Sequence, residues 1–171
     1  MISMVVVSGA GVCQNLEPRP RILGGHRRGA QHVVDIYLEY QGDLHCRAQH
    51  GPSSAELVTD APVDNHGRGA AFSPTDLVAT GLGSCMATVM GILARKRGYA
   101  LEGTRVHVKK TMTGSGPRRI AQLAVDVTLP KAATDSVGNC RAELEQVARE
   151  CPVRLSLLDA IDVPLVFEWQ R

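Results

Sequence analysis

Five cysteines, at positions 13, 46, 85, 140 and 151, are the residues of this 171-residue chain best able to do chemistry. Their number is odd and their spacing irregular, unlike a secreted disulfide framework, and no CxxC pair suggests structural zinc. A cytoplasmic, reducing setting is therefore expected, and thiol chemistry is what remains. The reactive species is the thiolate, and a free cysteine with a pKa near 8.5 is only about 3% ionised at pH 7, so a working thiol needs a cation or a helix N-terminus beside it. Two positions stand out. Cys85 lies in the middle of an apolar, small-residue stretch, SPTDLVATGLGSCMATVMGILARKRG, at 73–98. Cys151 directly precedes Pro152, which bars it from helix geometry and itself suits a first helical position, so Cys151 falls at a helix N-terminus and should be partly ionised. The competing reading is that both are ordinary core cysteines, since free cysteine is among the most buried residue types. Cys46 and Cys140 have no evident partner and read as incidental.

Other chemistries find less support. His45 and Cys46 are adjacent and His50 is four residues on, but a strand sends neighbours to opposite faces and no second close cluster exists, so no metal is expected. The glycines at 114 and 116 lie in a hairpin turn and not between a strand and a helix, which leaves no phosphate loop. No GxSxG follows a strand, so a serine hydrolase is unsupported.

The element that positions Cys85 announces both of its ends. Ser73 caps the helix, Pro74 suits its first position, Asp76 completes a capping box, and Phe72 before the cap is a plausible hydrophobic staple. Arg95, Lys96 and Arg97 suit the negative end of the dipole and Gly98 stops it. Almost every side chain between is small or apolar, so this helix should be buried nearly all round. Ahead of it, Val34, Ile36, Leu38 and Tyr40 alternate with Asp35 and Glu39 as a strand, residues 44–50 return, and AELVTD forms a third strand before a loop from 61 to 71. After it, TRVHVKKTM and IAQLAVDVTL form a hairpin around GSGPRR. Residues 135–150 read as a helix capped by Asp135 or Ser136, with Leu144, Val147 and Ala148 inward. VRLSLLD is a further helical turn, and DVPLVFEW closes the sheet. The expected order is βββ, α, ββ, αα, β, an α+β fold.

One domain fits the length. A net charge of +2 gives no reason to expect nucleic acid. Small polar groups and charges interrupt every apolar run before about 18 residues, so no membrane span is expected. Residues 1–32 combine a short apolar opening with a Pro-, Gly- and Arg-rich segment and read as a flexible extension ahead of a domain at 33–171.

The stretch FSPTDLVATGLGSCMATVMGILARKRG, the PRRI at 117–120 and the closing ARECPVRLSLLDAIDVPLVFEW resemble the OsmC/Ohr superfamily, the osmotically inducible and organic hydroperoxide resistance proteins, over residues 33–169. The resemblance implies antiparallel sheets wrapped around two long central helices in an intertwined homodimer, with active sites at the subunit interface. The implied activity is thiol-dependent reduction of organic hydroperoxides, needing an external thiol or dithiol reductant and no bound cofactor. On that resemblance Cys85 matches the peroxidatic cysteine and Cys151 the resolving one. The chemistry is consistent, because a sulfenic acid on Cys85 needs a second thiol at hand before it over-oxidises.

The family's best-known members pair an arginine from the early strands with a glutamate ten positions before the cysteine; here that position is Thr75. The nearest acid, Asp76, lies nine positions before Cys85, about 180° around the helix and roughly 13 Å along it, so it cannot touch Cys85 of its own chain and is a candidate catalytic acid only through the second subunit, its other role being the capping box. Arg47 on the early hairpin is the candidate guanidinium, with Arg118 and Arg119 at the later turn as rivals. Three functions stay open: an organic hydroperoxide peroxidase, which the residues favour; a thiol enzyme of another type, such as acyl transfer or thioester cleavage, which would not need Cys151; and a non-catalytic dimeric module binding a small apolar ligand.

Overall fold

The computed structural model describes residues 33–171; the extension read at 1–32 lies outside the described residues. Its strands are β1 (Ile36–Gly42), β2 (His45–His50), β3 (Glu56–Asp60), β4 (Arg105–Met112), β5 (Ile120–Leu129) and β6 (Leu165–Trp169). The helices are α1 (Pro74–Arg97), α2 (Lys131–Val137), α3 (Arg141–Arg149) and α4 (Pro152–Ser156).

The α1 termini form as their residues dictate. Ser73 is extended, at φ −73° and ψ 160°, and its Oγ accepts from Asp76 N–H at 3.2 Å, while Ser73 N–H donates to Asp76 Oδ2 at 2.8 Å. Gly98 ends the helix at φ 75°, a left-handed conformation that glycine adopts without Cβ strain. Phe72 does not act as a staple. It is 58% exposed, and its backbone carbonyl instead accepts from Asp60 N–H.

The strands form two sheets. β1, β2 and β3 make an antiparallel meander. In the second sheet β4 pairs antiparallel with β5, but β6 runs parallel to β5, with Val127 opposite Phe167. The expected all-antiparallel arrangement is thus corrected at its last strand. Alternation fixes which face a residue takes and carries no direction; the long return through α2, α3 and α4 supplies the crossover that a parallel pair requires. A second correction concerns the helix expected over 135–150. Pro130 starts α2 early, Gly138 at φ 55° breaks it, and α3 begins anew at Arg141.

The core joins one side of α1 to the second sheet and α3. Leu82, Met86 and Met90 of α1 meet Leu123, Val125, Val127 and Leu129 of β5 and Leu144 of α3, all with no exposed surface. At Gly83 a Cβ would stand 2.9 Å from Val108 Cγ2, so the glycine allows α1 to lie close on β4. The opposite side of α1 is uncovered within this chain: Val78 is 37% and Ile92 52% exposed, with Ser84, Thr88 and Gly91 also on the surface. The helix is therefore not enclosed all round by its own subunit. By length and composition alone it would be long and apolar enough to cross a bilayer, at a mean hydropathy of 1.8, although no run had been expected to be. Here it is the packed central helix of an α+β fold.

The meander is equally uncovered. Its register places Ile36, Leu38, Tyr40, Cys46, Ala48 and Leu57 on one face, and Tyr37, Glu39, Arg47, Glu56 and Val58 on the other. Ile36, Leu38 and Tyr40 are 59%, 69% and 63% exposed.

Candidate active site

Cys85 projects from α1 at the border between the core and the uncovered side, half-buried and packed against core residues. Cys151 is the N-cap of α4, extended at φ −63° and ψ 146° as the following proline requires, and completely buried. Since α3 and α4 both pack on α1, the two thiols, 66 positions apart in sequence, become neighbours close enough to influence one another's ionisation. Cys151 Sγ also accepts from Arg154 N–H at 3.4 Å.

That cap does not ionise Cys151, contrary to the expectation from its position before Pro152. Burial, the dominant cause, together with the neighbouring Cys85, pushes the Cys151 thiol up, and the Arg154 and Val153 N–H groups only partly offset this. Cys151 is thus a buried, protonated partner to a more accessible sulfur.

The charged residues named from the sequence are arranged differently. Arg47 is not brought to the thiol pair. Its guanidinium is held by Glu56, with Nε at 3.3 Å from Oε2, on the face of the meander opposite the apolar one. Arg118 instead lines a cleft of about 360 Å³ at the start of α1, together with Tyr40, Cys46 and Thr75, and binds Asp64 at 2.9 Å. Arg119 points to the Ala160 carbonyl at 3.4 Å. Asp76 is the capping acid and lies in the first turn of α1, away from Cys85, as the spacing requires.

Asp76 has a partner that sequence reasoning missed. Lys110 Nζ lies 2.6 Å from Asp76 Oδ1 and donates to Thr75 Oγ1 at 2.8 Å, so a lysine from β4 is fixed at the first turn of α1. Burial alone would raise the Asp76 pKa, but the bonds from Lys110 and Ser73 prevail and hold it below the usual carboxylate value. The signal was available: Lys110 shares the strand face of Val106 and Val108, where a charge must find a partner. Lys110, Asp76, Phe72 and the small residues Ala79, Gly83 and Ala87 line a cleft of about 860 Å³ between α1 and β4.

A second missed group anchors the loop before α1. Asp60 is wholly buried, its pKa held down first by the Ala70 N–H at 2.9 Å and then, against burial, by Arg68 and by His45, whose Nδ1 is 3.5 Å away. Cys46 is free, whereas Cys140 is not a free thiol. Among the described residues no group of three or more His, Cys, Asp or Glu side chains is placed to hold a metal ion.

Comparison with known proteins agrees with this architecture. The model of the OsmC-like protein family matches residues 66–166. A candidate osmotic stress induced and detoxification response protein from Psychrobacter arcticus is 38% identical, covering 81% of this chain and 98% of its own, with a TM-score of 0.73. An organic hydroperoxide resistance protein, OsmC, from Legionella pneumophila shares the fold at 17% identity, over 82% of this chain and 99% of its own, with a TM-score of 0.64. So does a candidate organic hydroperoxide resistance protein from Vibrio cholerae, at 21% identity over 82% and 94% and a TM-score of 0.64. No curated protein matches the chain. The chain belongs to the OsmC-like protein family. Within this superfamily, some structural neighbours carry the name organic hydroperoxide resistance protein.

Proposed function

We propose that this protein is a cysteine-based peroxidase that reduces organic hydroperoxides, acting as a homodimer and drawing electrons from an external thiol or dithiol. The observation that carries the reading is the thiol pair: a half-buried Cys85 beside a fully buried Cys151 whose thiol it helps to push up. The Cys85 thiolate attacks the terminal peroxide oxygen, an S–O bond forms as the O–O bond breaks, and the alkoxide leaves as the alcohol by taking up the proton Cys85 gave up on ionising. Cys151 then attacks the Cys85 sulfenic acid, an S–S bond forms and water leaves. Two thiols of the reductant exchange in turn with the disulfide and leave as their own disulfide. The division of roles follows exposure, since the peroxide must reach the accessible sulfur and the buried one is kept protonated until needed. Abundant apolar surface around α1 favours an organic hydroperoxide over hydrogen peroxide.

The test is a stopped-flow count of thiols lost on mixing equimolar cumene hydroperoxide or hydrogen peroxide with wild type, Cys85→Ser and Cys151→Ser. Wild type should lose two thiols rapidly and prefer the organic peroxide. Cys85→Ser should lose none rapidly, and Cys151→Ser should stop at a sulfenic acid without a Cys85–Cys151 disulfide. Three proteins that react slowly and alike would make Cys85 an inert core thiol and sink the peroxidase reading.

A further inference from the structure

Beyond Cys151, α4 and the end of α3 meet the start of β6 around a cleft of about 400 Å³ that the redox reading leaves unused. Leu155, Val163 and Leu165 give it apolar surface, and Arg149, Arg154 and Asp159 line it as charged residues. Two features tie it to the thiol pair. Met86, which also borders it, follows Cys85 in α1, and Arg154 is the residue whose N–H holds Cys151 Sγ.

The charges decide what would enter. Arg154 is only partly exposed, and its guanidinium has no ion-pair partner among the described residues. Arg149 is loosely engaged, with Glu145 at 3.7 Å and the Phe167 ring 5.5 Å away. Asp159 forms no ion pair with either arginine among the described residues, so the lining keeps an excess of positive charge. A guanidinium offers a planar fork of donors matched to a carboxylate, and a small ligand site typically combines a few such polar groups with an apolar surface. An inorganic anion would use the arginines and leave the apolar side chains beside them uncovered, while a neutral chain would desolvate the guanidinium groups without replacing their water.

We propose that this cleft binds a small organic carboxylate with a short apolar tail, its carboxylate on Arg154 and Arg149 and its tail against Leu155 and Val163. Because Arg154 also holds Cys151 through its main chain, the ligand's presence registers at that thiol. The inference stands apart from the peroxidase reading, since binding requires neither cysteine to react.

The experiment is calorimetric titration of the reduced full-length protein with hexanoate, hexanol and acetate, repeated on Arg154→Met and Arg154→Lys, with circular dichroism verifying that both variants fold. Hexanoate should bind at least about tenfold more tightly than hexanol or acetate, the equivalent of roughly 1.4 kcal/mol. Arg154→Met should lose about tenfold in affinity and Arg154→Lys less, as befits a point charge replacing a fork. Hexanoate should also change the rate at which Cys151 is alkylated by iodoacetamide in wild type and not in Arg154→Met. Absence of hexanoate binding, equal binding of hexanol, or undiminished binding by a folded Arg154→Met would each overturn the proposal.

Discussion

At the level of single side chains, Cys151 is where two physical effects compete and the outcome runs against the simpler rule. An N-cap position lowers a thiol pKa because backbone N–H groups favour the anion, yet complete burial disfavours any charge, and here burial wins with the help of the adjacent Cys85. The sign follows: the Cys151 thiolate appears only above the ordinary cysteine range, and the thiol form persists through neutral pH. In iodoacetamide labelling followed by peptide mass spectrometry, the pH midpoint for Cys151 in the native protein should lie above its midpoint in urea. Cys85→Ala removes the smaller cause and leaves burial, so it should move the midpoint only part of the way back. A native midpoint at or below the unfolded one would show that the cap dominates after all. The residue types were legible from the sequence because Pro152 forces the backbone of Cys151. The competition was not, because burial by α1 and the meeting with Cys85 are tertiary facts that no local pattern encodes.

Helices and strands fix where those side chains stand, and the start of α1 shows how closely they do so. The Asp76 carboxylate satisfies the Ser73 N–H and pairs with Lys110 from β4, so one acid serves both the cap and the helix–strand contact. Its folded pKa is depressed, so the stability it provides is present above the unfolded carboxylate range and is lost as pH falls through the folded value. Asp76→Asn should cost about 1 kcal/mol in urea denaturation at pH 7, a magnitude set by capping and by a screened, part-exposed ion pair. That difference should shrink as pH drops below about 4; a cost unchanged at low pH would assign it to packing instead. Further along the helix, Gly83→Ala sets a helix-propensity gain of about 1 kcal/mol against overpacking of about 1–3 kcal/mol on Val108. A net loss is expected, relieved in the Gly83→Ala/Val108→Ala double variant, whereas Gly81→Ala, with open space around it in this subunit, should lack that clash. Equal effects of the two glycine substitutions in denaturation curves would count against close helix–strand packing. Both ends of α1 could be read in advance, since Ser73, Asp76 and Gly98 act locally. The parallel run of β6 and the break at Gly138 could not: a period-two pattern carries no strand direction, and a glycine within a helical pattern does not by itself say whether the helix tolerates it.

For the molecule as a whole, two uncovered apolar surfaces are the feature most in need of a physical account. The meander presents Ile36, Leu38 and Tyr40 to solvent on one face, and α1 presents Val78 and Ile92 beside small residues on its outer side. Exposed apolar area of this extent is unfavourable in water at roughly 25 cal/mol per Å², so a chain that carries both surfaces gains by placing one copy's meander against another copy's helix. This arrangement also governs which arginine can serve the thiols. Arg47 lies on the face turned away from such a partner, whereas Arg118 and Thr75 line the cleft that Tyr40 and Cys46 border from the apolar face. The prediction is a dimer, with a mass by light scattering of about twice the 18.3 kDa of the chain. Leu38→Asp buries a carboxylate in that contact and should weaken the dimer by more than about a hundredfold, since a lost leucine contact of about 1.5–3 kcal/mol is compounded by an unpaired charge. Tyr37→Asp, equally exposed but on the opposite face, should leave the mass unchanged. A monomeric wild type would mean that both surfaces are tolerated in water. Sensitivity at Tyr37 rather than Leu38 would place the partner on the Arg47 face and bring that guanidinium to the subunit contact.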